Sequence, residues 1–421
     1  MEQPNLAMIP SGYRARVVYS IMPENGVGDF TFVRSGDATR INKDGLIETV
    51  DSHVPRLNYD LSNGKPDSCP CLLLEPASTN ILGYSETFSS WGQTRSAITS
   101  NSLTSPDGTV NASKMADDGS TGTDTSQRFL SVTVEEDEDY HFSVFAKKGS
   151  MDFIALRTGD FTDGVGIGET FFNLATGAVG TTYANHTASI EKYPNDWYRC
   201  IIKFTSGTDL SGTLLIRQAS ADGTSTVPLD GNSFVYLWGA QFEKSTFVTS
   251  YIKSDSNSQT TRSAETCNGA GDASTFNSEQ GILFAEIAAL ANDNTFRMMC
   301  ICDGTNNNSV NLQFKNTDNT IRTRIESGGV AQVDMDSTVL NALNFNKIAV
   351  KFKANDFALW INGNEAITDT SGSTPLGLNE LKFDNGSGNH KFYGKFKDLR
   401  YYDTEGMTDT EINNLLTQLT Q

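Results

Sequence analysis

Apolar side chains fall at every second position in short runs from one end of this chain to the other, and each run stops at a turn cluster. In Lys347-Ile348-Ala349-Val350-Lys351-Phe352-Lys353, the residues Ile348, Val350 and Phe352 point one way. Tyr140, Phe142 and Val144 share a face, and so do Phe234, Tyr236 and Trp238. Tyr198, Cys200, Ile202 and Phe204 lie opposite Trp197, Arg199 and Lys203. Successive side chains of a strand alternate between faces, so each run reads as a strand with one buried side. Ser105-Pro106-Asp107-Gly108 and Ala221-Asp222-Gly223-Thr224 are turns between runs, and Asn362-Gly363 after Phe357–Ile361 is a two-residue hairpin signal. Many short strands with regular turns predict an all-β chain of two β-sandwich (jelly-roll) domains. One short helix is expected at the C-terminus. Thr408 and Glu411 form a capping box, and Ile412, Leu415, Leu416 and Leu419 fall at i, i+3, i+4 and i+7.

Composition shifts divide the chain. Residues 1–75 carry small hairpin signals, such as Asn42-Lys43-Asp44-Gly45, then Pro55, Pro66 and Pro70. They predict a small irregular segment that orders against a partner. Residues 76–255 are expected to form the first sandwich. Residues 256–275 are polar, rich in Gly, Ser and Asn, and without periodicity, which predicts a linker. Residues 276–421 are expected to form the second sandwich and to fold alone.

A net charge of −19 argues against nucleic-acid binding, because such a surface repels phosphate. No apolar run approaches the ~18 residues of a membrane span, and the N-terminus has no signal-peptide layout. Six cysteines occur, at positions 69, 71, 200, 267, 300 and 302, but no Cys or His cluster completes a zinc site. Cys200, Cys300 and Cys302 read as small buried hydrophobes.

Several stretches resemble a widespread group of phage fibre, spike and head-associated proteins. They are Asp29-Phe30-Thr31-Phe32 with Arg34-Ser35, Ala38-Thr39-Arg40-Ile41-Asn42, Gly45-Leu46-Ile47-Glu48 and Val54-Pro55-Arg56-Leu57-Asn58-Tyr59. The pattern continues through Leu72-Leu73-Leu74-Glu75-Pro76, Phe142-Ser143-Val144, Trp197-Tyr198-Arg199 and Trp238-Gly239-Ala240-Gln241-Phe242-Glu243 with Thr249-Ser250-Tyr251. The central domain of that group is similar to carbohydrate-binding jelly rolls. The C-terminal text, notably Ala358-Leu359-Trp360-Ile361-Asn362-Gly363 and Phe392 to Tyr402, is similar to laminin-G/concanavalin-A-like lectin domains. The resemblance implies a bacteriophage virion structural protein, a head or tail fibre, spike or capsid decoration, assembled in the host cytoplasm. Residues 1–75 would attach it to capsid or tail proteins, and it would be a homo-oligomer, a trimer before a dimer. Host-surface glycan is the ligand that its sandwich domains would meet.

The alternative is a polysaccharide depolymerase. A glycosidase needs two carboxylates across the scissile bond. The similar glucanases carry Glu-x-Asp-x-x-Glu or a close variant on one strand, whereas Asp334-Met335-Asp336 lacks the glutamates. With no Gly-x-Ser-x-Gly and no P-loop, the expectation is a non-enzyme without a cofactor. Structural calcium is conceivable at Glu135, Glu136, Asp137, Glu138 and Asp139, although like charges before a strand are usually a solvated turn. Trp360 and Trp197 are the candidate carbohydrate-binding residues, since flat aromatic faces stack on sugar rings. For Trp360 the competing use is packing under the C-terminal helix; for Trp197 it is a core or an interface. Trp238 reads as core.

Overall fold

The computed structural model describes residues 2–161 and 168–421. The strand Asn346–Lys353 lies between Gln280–Ala289 and Phe357–Ile361, with Ile348, Val350 and Phe352 buried. Asn362 and Gly363 both take positive φ, 48° and 85°, and Ile361 pairs with Asn364. That is the backbone a two-residue hairpin needs to match strand twist, and Asn-Gly adopts it at little cost. On the far side of Gln280–Ala289 come Gly394–Tyr402, Leu6–Arg14, Val17–Met22, Phe30–Val33, Thr266–Ala270 and Glu380–Lys382 in turn. Arg297–Cys302, Ser309–Phe314, Thr320–Ser327 and Val330–Thr338 follow, each antiparallel to the next, and Cys71–Leu74 joins the sheet off this path by pairing with Gly394–Tyr402 and Arg56–Asn58. Its two ends, Val330–Thr338 and Asn364–Asp369, meet. The sheet thus folds over a single core that includes Leu6, Phe30, Leu283, Leu312, Val350 and Leu399.

Two expectations change here. The first 75 residues are not a separate irregular segment. Leu6, Met8, Val18, Phe30, Phe32, Leu72 and Leu74 are all buried in the second sandwich's core. Their runs are too short to close a core alone, so they enter a sheet whose other strands begin only at Thr266. The stretch 256–275 is not a plain linker either. Thr266–Ala270 pairs with Phe30–Val33 and Glu380–Lys382, and its inward residues Cys267 and Ala270 are fully buried. A register shift between Asn268 and Ala270 puts these two small inward residues three positions apart, so no period of two shows in the sequence. The chain enters the first sandwich by Ser78–Asn80 and leaves by Thr260–Arg262, and these two strands pair with each other. The first sandwich is therefore an insertion within the second, with its entry and exit side by side.

The inserted sandwich has two six-stranded antiparallel sheets. One contains Gln127–Thr133, Ser211–Ala219 and Phe153–Gly159; the other contains Phe234–Lys244, Asp139–Lys148 and Trp197–Thr205. Between them lie Tyr140, Phe142, Val144, Cys200, Ile202, Phe204 and Phe242, as their alternation requires. The outer face of the second sheet holds another cluster: Phe145, Tyr193, Trp197, Trp238 and Tyr251. It is covered by Ile47, with Ile41 and Leu61 packed alongside, all from the N-terminal segment. Ala38–Ile41 and Ile47–Val50 form that hairpin around the turn at 42–45.

The helix Asp409–Thr420 has both capping-box bonds to Thr408. Its stripe Ile412, Leu415, Leu416 and Leu419 packs on Ile282, Phe284, Ala349 and Tyr402, as the heptad-like spacing predicts. No helix among the described residues is long and apolar enough to cross a membrane.

Candidate functional site

Where the N-terminal segment, the entry strand and the exit strand converge, five charged side chains are buried together. Arg34 Nη1 lies 2.9 Å from Glu265 Oε1, and Arg56 Nε donates to the same oxygen at 2.8 Å. Arg56 Nη2 pairs with Glu265 Oε2, Arg56 Nη1 reaches Glu75 Oε2 at 2.8 Å, and Arg262 Nη1 pairs with Glu75. All five side chains are at most 4% exposed. Most of the remaining hydrogen-bonding capacity goes to the backbone and to Ser250, while Arg262 Nε is buried without an acceptor among the described residues. Arg34 Nη2 donates to the Val50 carbonyl and Arg262 Nη2 to the Pro76 carbonyl. The Ser250 N–H donates to Glu75 Oε1 at 2.9 Å, and the Glu75 N–H to Glu265 Oε2 at 2.9 Å.

Burial alone would raise the Glu75 carboxyl, but Arg262 and Arg56 outweigh it and hold the group well below the usual carboxylate range. Burial likewise opposes the charge on Arg56, and Glu265 with Glu75 pushes its pKa up. Arg34 is shifted down by burial, which Glu265 offsets only in part. Desolvated charges persist only when paired and hydrogen-bonded, and removing one partner leaves another stranded.

Beside this network opens a cleft of about 750 Å³. The N-terminal segment supplies Arg40 and Asp60, the first sandwich Glu191 and Lys192, and the second Lys395. Lys395 Nζ is 2.8 Å from Asp60 Oδ1, and burial is outweighed by Asp60 in raising the lysine. Arg40 donates to Glu48 Oε2 and to the Tyr13 hydroxyl, each at 3.0 Å. These contacts tie together elements from distant parts of the chain, and the polar walls can receive polar groups. His141 and His186 are not in the cleft. Each is buried in the first sandwich, and burial pushes each down to about 4.

The residues singled out in the sequence fall in separate places. Trp197 is 1% exposed and its indole N–H donates to the Thr104 carbonyl at 3.1 Å, so it presents no face to a sugar. Trp360 is half-buried and packs against the C-terminal helix cluster, and its Nε1 has no acceptor among the described residues. In the acidic run, Lys244 Nζ binds Glu135 at 2.9 Å and Glu138 at 2.8 Å, while Lys203 holds Asp139 at 2.7 Å. Glu136 and Asp137 are exposed. The lysines pair with three of the five carboxylates, and no group of three or more Asp, Glu, His or Cys among the described residues is placed to hold a metal. Cys69 is exposed and the other five cysteines are buried, all as free thiols.

Sequence reading missed the five-residue network. Its signal was present as single charges inside apolar text, above all Glu75 after Leu72-Leu73-Leu74.

Strand pairing and the two cores define an all-β protein of two sandwiches, one inserted in the other. No family model matches the chain, and no curated protein matches it. Among solved structures, domains LG4-5 of the mouse laminin alpha1 chain are similar over 65% of this chain and 85% of their own, at 9% identity and a TM-score of 0.23. So loose a likeness carries no argument about activity or ligand.

Proposed function

We propose that this protein is a non-enzymatic structural component of a bacteriophage particle that displays its sandwiches for adhesion to host-surface glycan. One observation carries the reading. The residues through which the chain resembles phage fibre, spike and head-associated proteins include Arg34, Arg56, Glu75 and Ser250, and these meet in one buried network with Arg262 and Glu265. They act together as a lock between the segments that join the two sandwiches. A part whose distinctive residues go into rigidity suits mechanical display on a particle. A homotrimer, or failing that a dimer, would add avidity to weak glycan contacts.

Antibody against the purified chain, gold-labelled and imaged on intact particles, tests this reading. Regular labelling at one position on head or tail is the expected result, with a trimer mass by light scattering for the free protein. Particles that carry no label and contain no peptide of the chain by mass spectrometry would overturn it.

A further inference from the structure

The outer face of the second sandwich holds a second concavity, away from the joint. Val310, Leu312 and Phe314 point into the core, so Ser309, Asn311 and Gln313 point out, and this much is ordinary strand alternation. An outward amide on a sheet surface is normally wet. Here Asn311 is 3% exposed and Gln313 2%. In register, Asn311 lies between Cys300 and Arg324, and Gln313 between Met298 and Arg322. The hollow over them has a volume of about 190 Å³ and is rimmed by Phe296, His390, Arg322, Arg324 and Glu326. Phe296 and His390 stand edge to face, 5.4 Å apart at 72°.

Asn311 Nδ2 donates to Ser309 Oγ at 2.8 Å, but its Oδ1 is buried with no partner among the described residues. A buried polar atom left unpaired costs on the order of 1–3 kcal/mol, so such an atom in a hollow points to something that pairs with it. An amide side chain can sit either way round in such a site. Turned over, Oδ1 would accept from the Ser309 hydroxyl and Nδ2 would be the open atom. A hydroxyl group donates and accepts, so it satisfies Asn311 either way round, whereas a peptide N–H fits only one.

The rim arginines are already matched by carboxylates at the rim and just outside it. Arg322 pairs with Asp334 and lies 3.4 Å from Asp336, Arg324 Nε is 2.7 Å from Glu326, and Lys315 pairs with Asp336. Two arginines and one lysine face two aspartates and one glutamate, which leaves no net charge to attract an ion. The hollow is below the ~300–1,000 Å³ of a site for a drug-sized ligand, and holds one ring rather than a buried chain. The half-buried Phe296 offers an apolar surface for the C–H side of that ring.

We infer that this hollow binds a single pyranose residue of a neutral glycan, with the Asn311 amide as its hydrogen-bonding centre and Phe296 as its apolar wall. The assignment rests on the adhesion reading above and gives it a site, in place of Trp197 and Trp360.

Saturation-transfer NMR on the full chain tests it, with the methyl glycosides of glucose, galactose, mannose and N-acetylglucosamine as probes and glucuronate as the anionic control. At least one neutral glycoside should bind with millimolar affinity. Asn311→Val and Phe296→Ala should each weaken it roughly tenfold, the scale of one lost hydrogen bond or wall. Phe296→Ala decides the matter if Asn311→Val fails to fold. The inference is overturned if no neutral glycoside gives a signal, if only glucuronate binds, or if the folded variants bind as before. Absence of binding by a chain that is nevertheless found on particles would remove this pocket and leave the particle role standing.

Discussion

Replacing Glu265 by Gln keeps the shape of a fully buried side chain and removes one negative charge from the network. Three arginines would then face Glu75 alone, and Arg34 would lose its only carboxylate partner among the described residues. Breaking a buried pair from one side costs about 3–5 kcal/mol. If the joint melts with the second sandwich as one unit, that is a fall in Tm of roughly 6–20 °C, at about 2–4 °C per kcal/mol. Differential scanning calorimetry of the full chain would show it, with Lys148→Ala at the exposed Lys148–Asp152 pair as a control that leaves Tm where it was. Adding Arg34→Met to Glu265→Gln removes the stranded cation and should recover part of the loss, a coupling that a double-mutant cycle reads directly. Wild-type melting of Glu265→Gln, or strict additivity in the cycle, would refute the view that these charges depend on one another.

Three further outcomes follow from the same structure. The folded Glu75 pKa lies below its unfolded value, so its contribution is present above about pH 4–5 and is lost as pH falls through the folded value; acid should loosen the joint, seen as faster proteolysis between the sandwiches. His186, held between Thr158 Oγ1 at 3.0 Å and Thr170 Oγ1 at 2.9 Å, is lowered to about 4, so stability should fall as pH drops from about 6.5 through that value; an NMR titration midpoint near 6.5 would contradict this. Leu416→Asp puts a charge on the fully buried stripe of the helix and should cost on the order of 3 kcal/mol or more by chemical denaturation, whereas an unchanged midpoint would mean the helix does not dock.

Strands with large inward side chains were legible in the sequence. Ile348, Val350 and Phe352, or Tyr140, Phe142 and Val144, face the core as alternation requires, and the capping box at Thr408 marks the helix to the residue. The partner of a strand was not legible. Leu6–Arg14 contains Pro10, Ser11 and Gly12 with a register shift against Val17–Met22, so its pattern breaks halfway, and nothing local tells Leu6 to pair with Tyr401. Thr266–Ala270 was unreadable because Cys267 and Ala270 are small and sit in polar text. The same locality explains the tryptophans. Alternation puts Trp197 on the face opposite Cys200, but only the hairpin from residues 38–50, nearly 150 residues away, turns that face into a core. A buried outward amide such as Asn311 leaves no trace in the sequence at all, since it reads as any polar residue on a solvent face.

Hydrogen exchange by mass spectrometry on the full chain measures most directly whether the N-terminal residues belong to the second sandwich. Slow exchange reports backbone amides that open only with the unit that protects them. Peptides covering residues 5–9 and 30–33 should exchange as slowly as those covering 283–287 and 396–401, because they share one sheet and one core. If the N-terminal peptides instead exchange within seconds while the others stay protected for hours, the first 75 residues are a separate segment and the nested architecture is wrong.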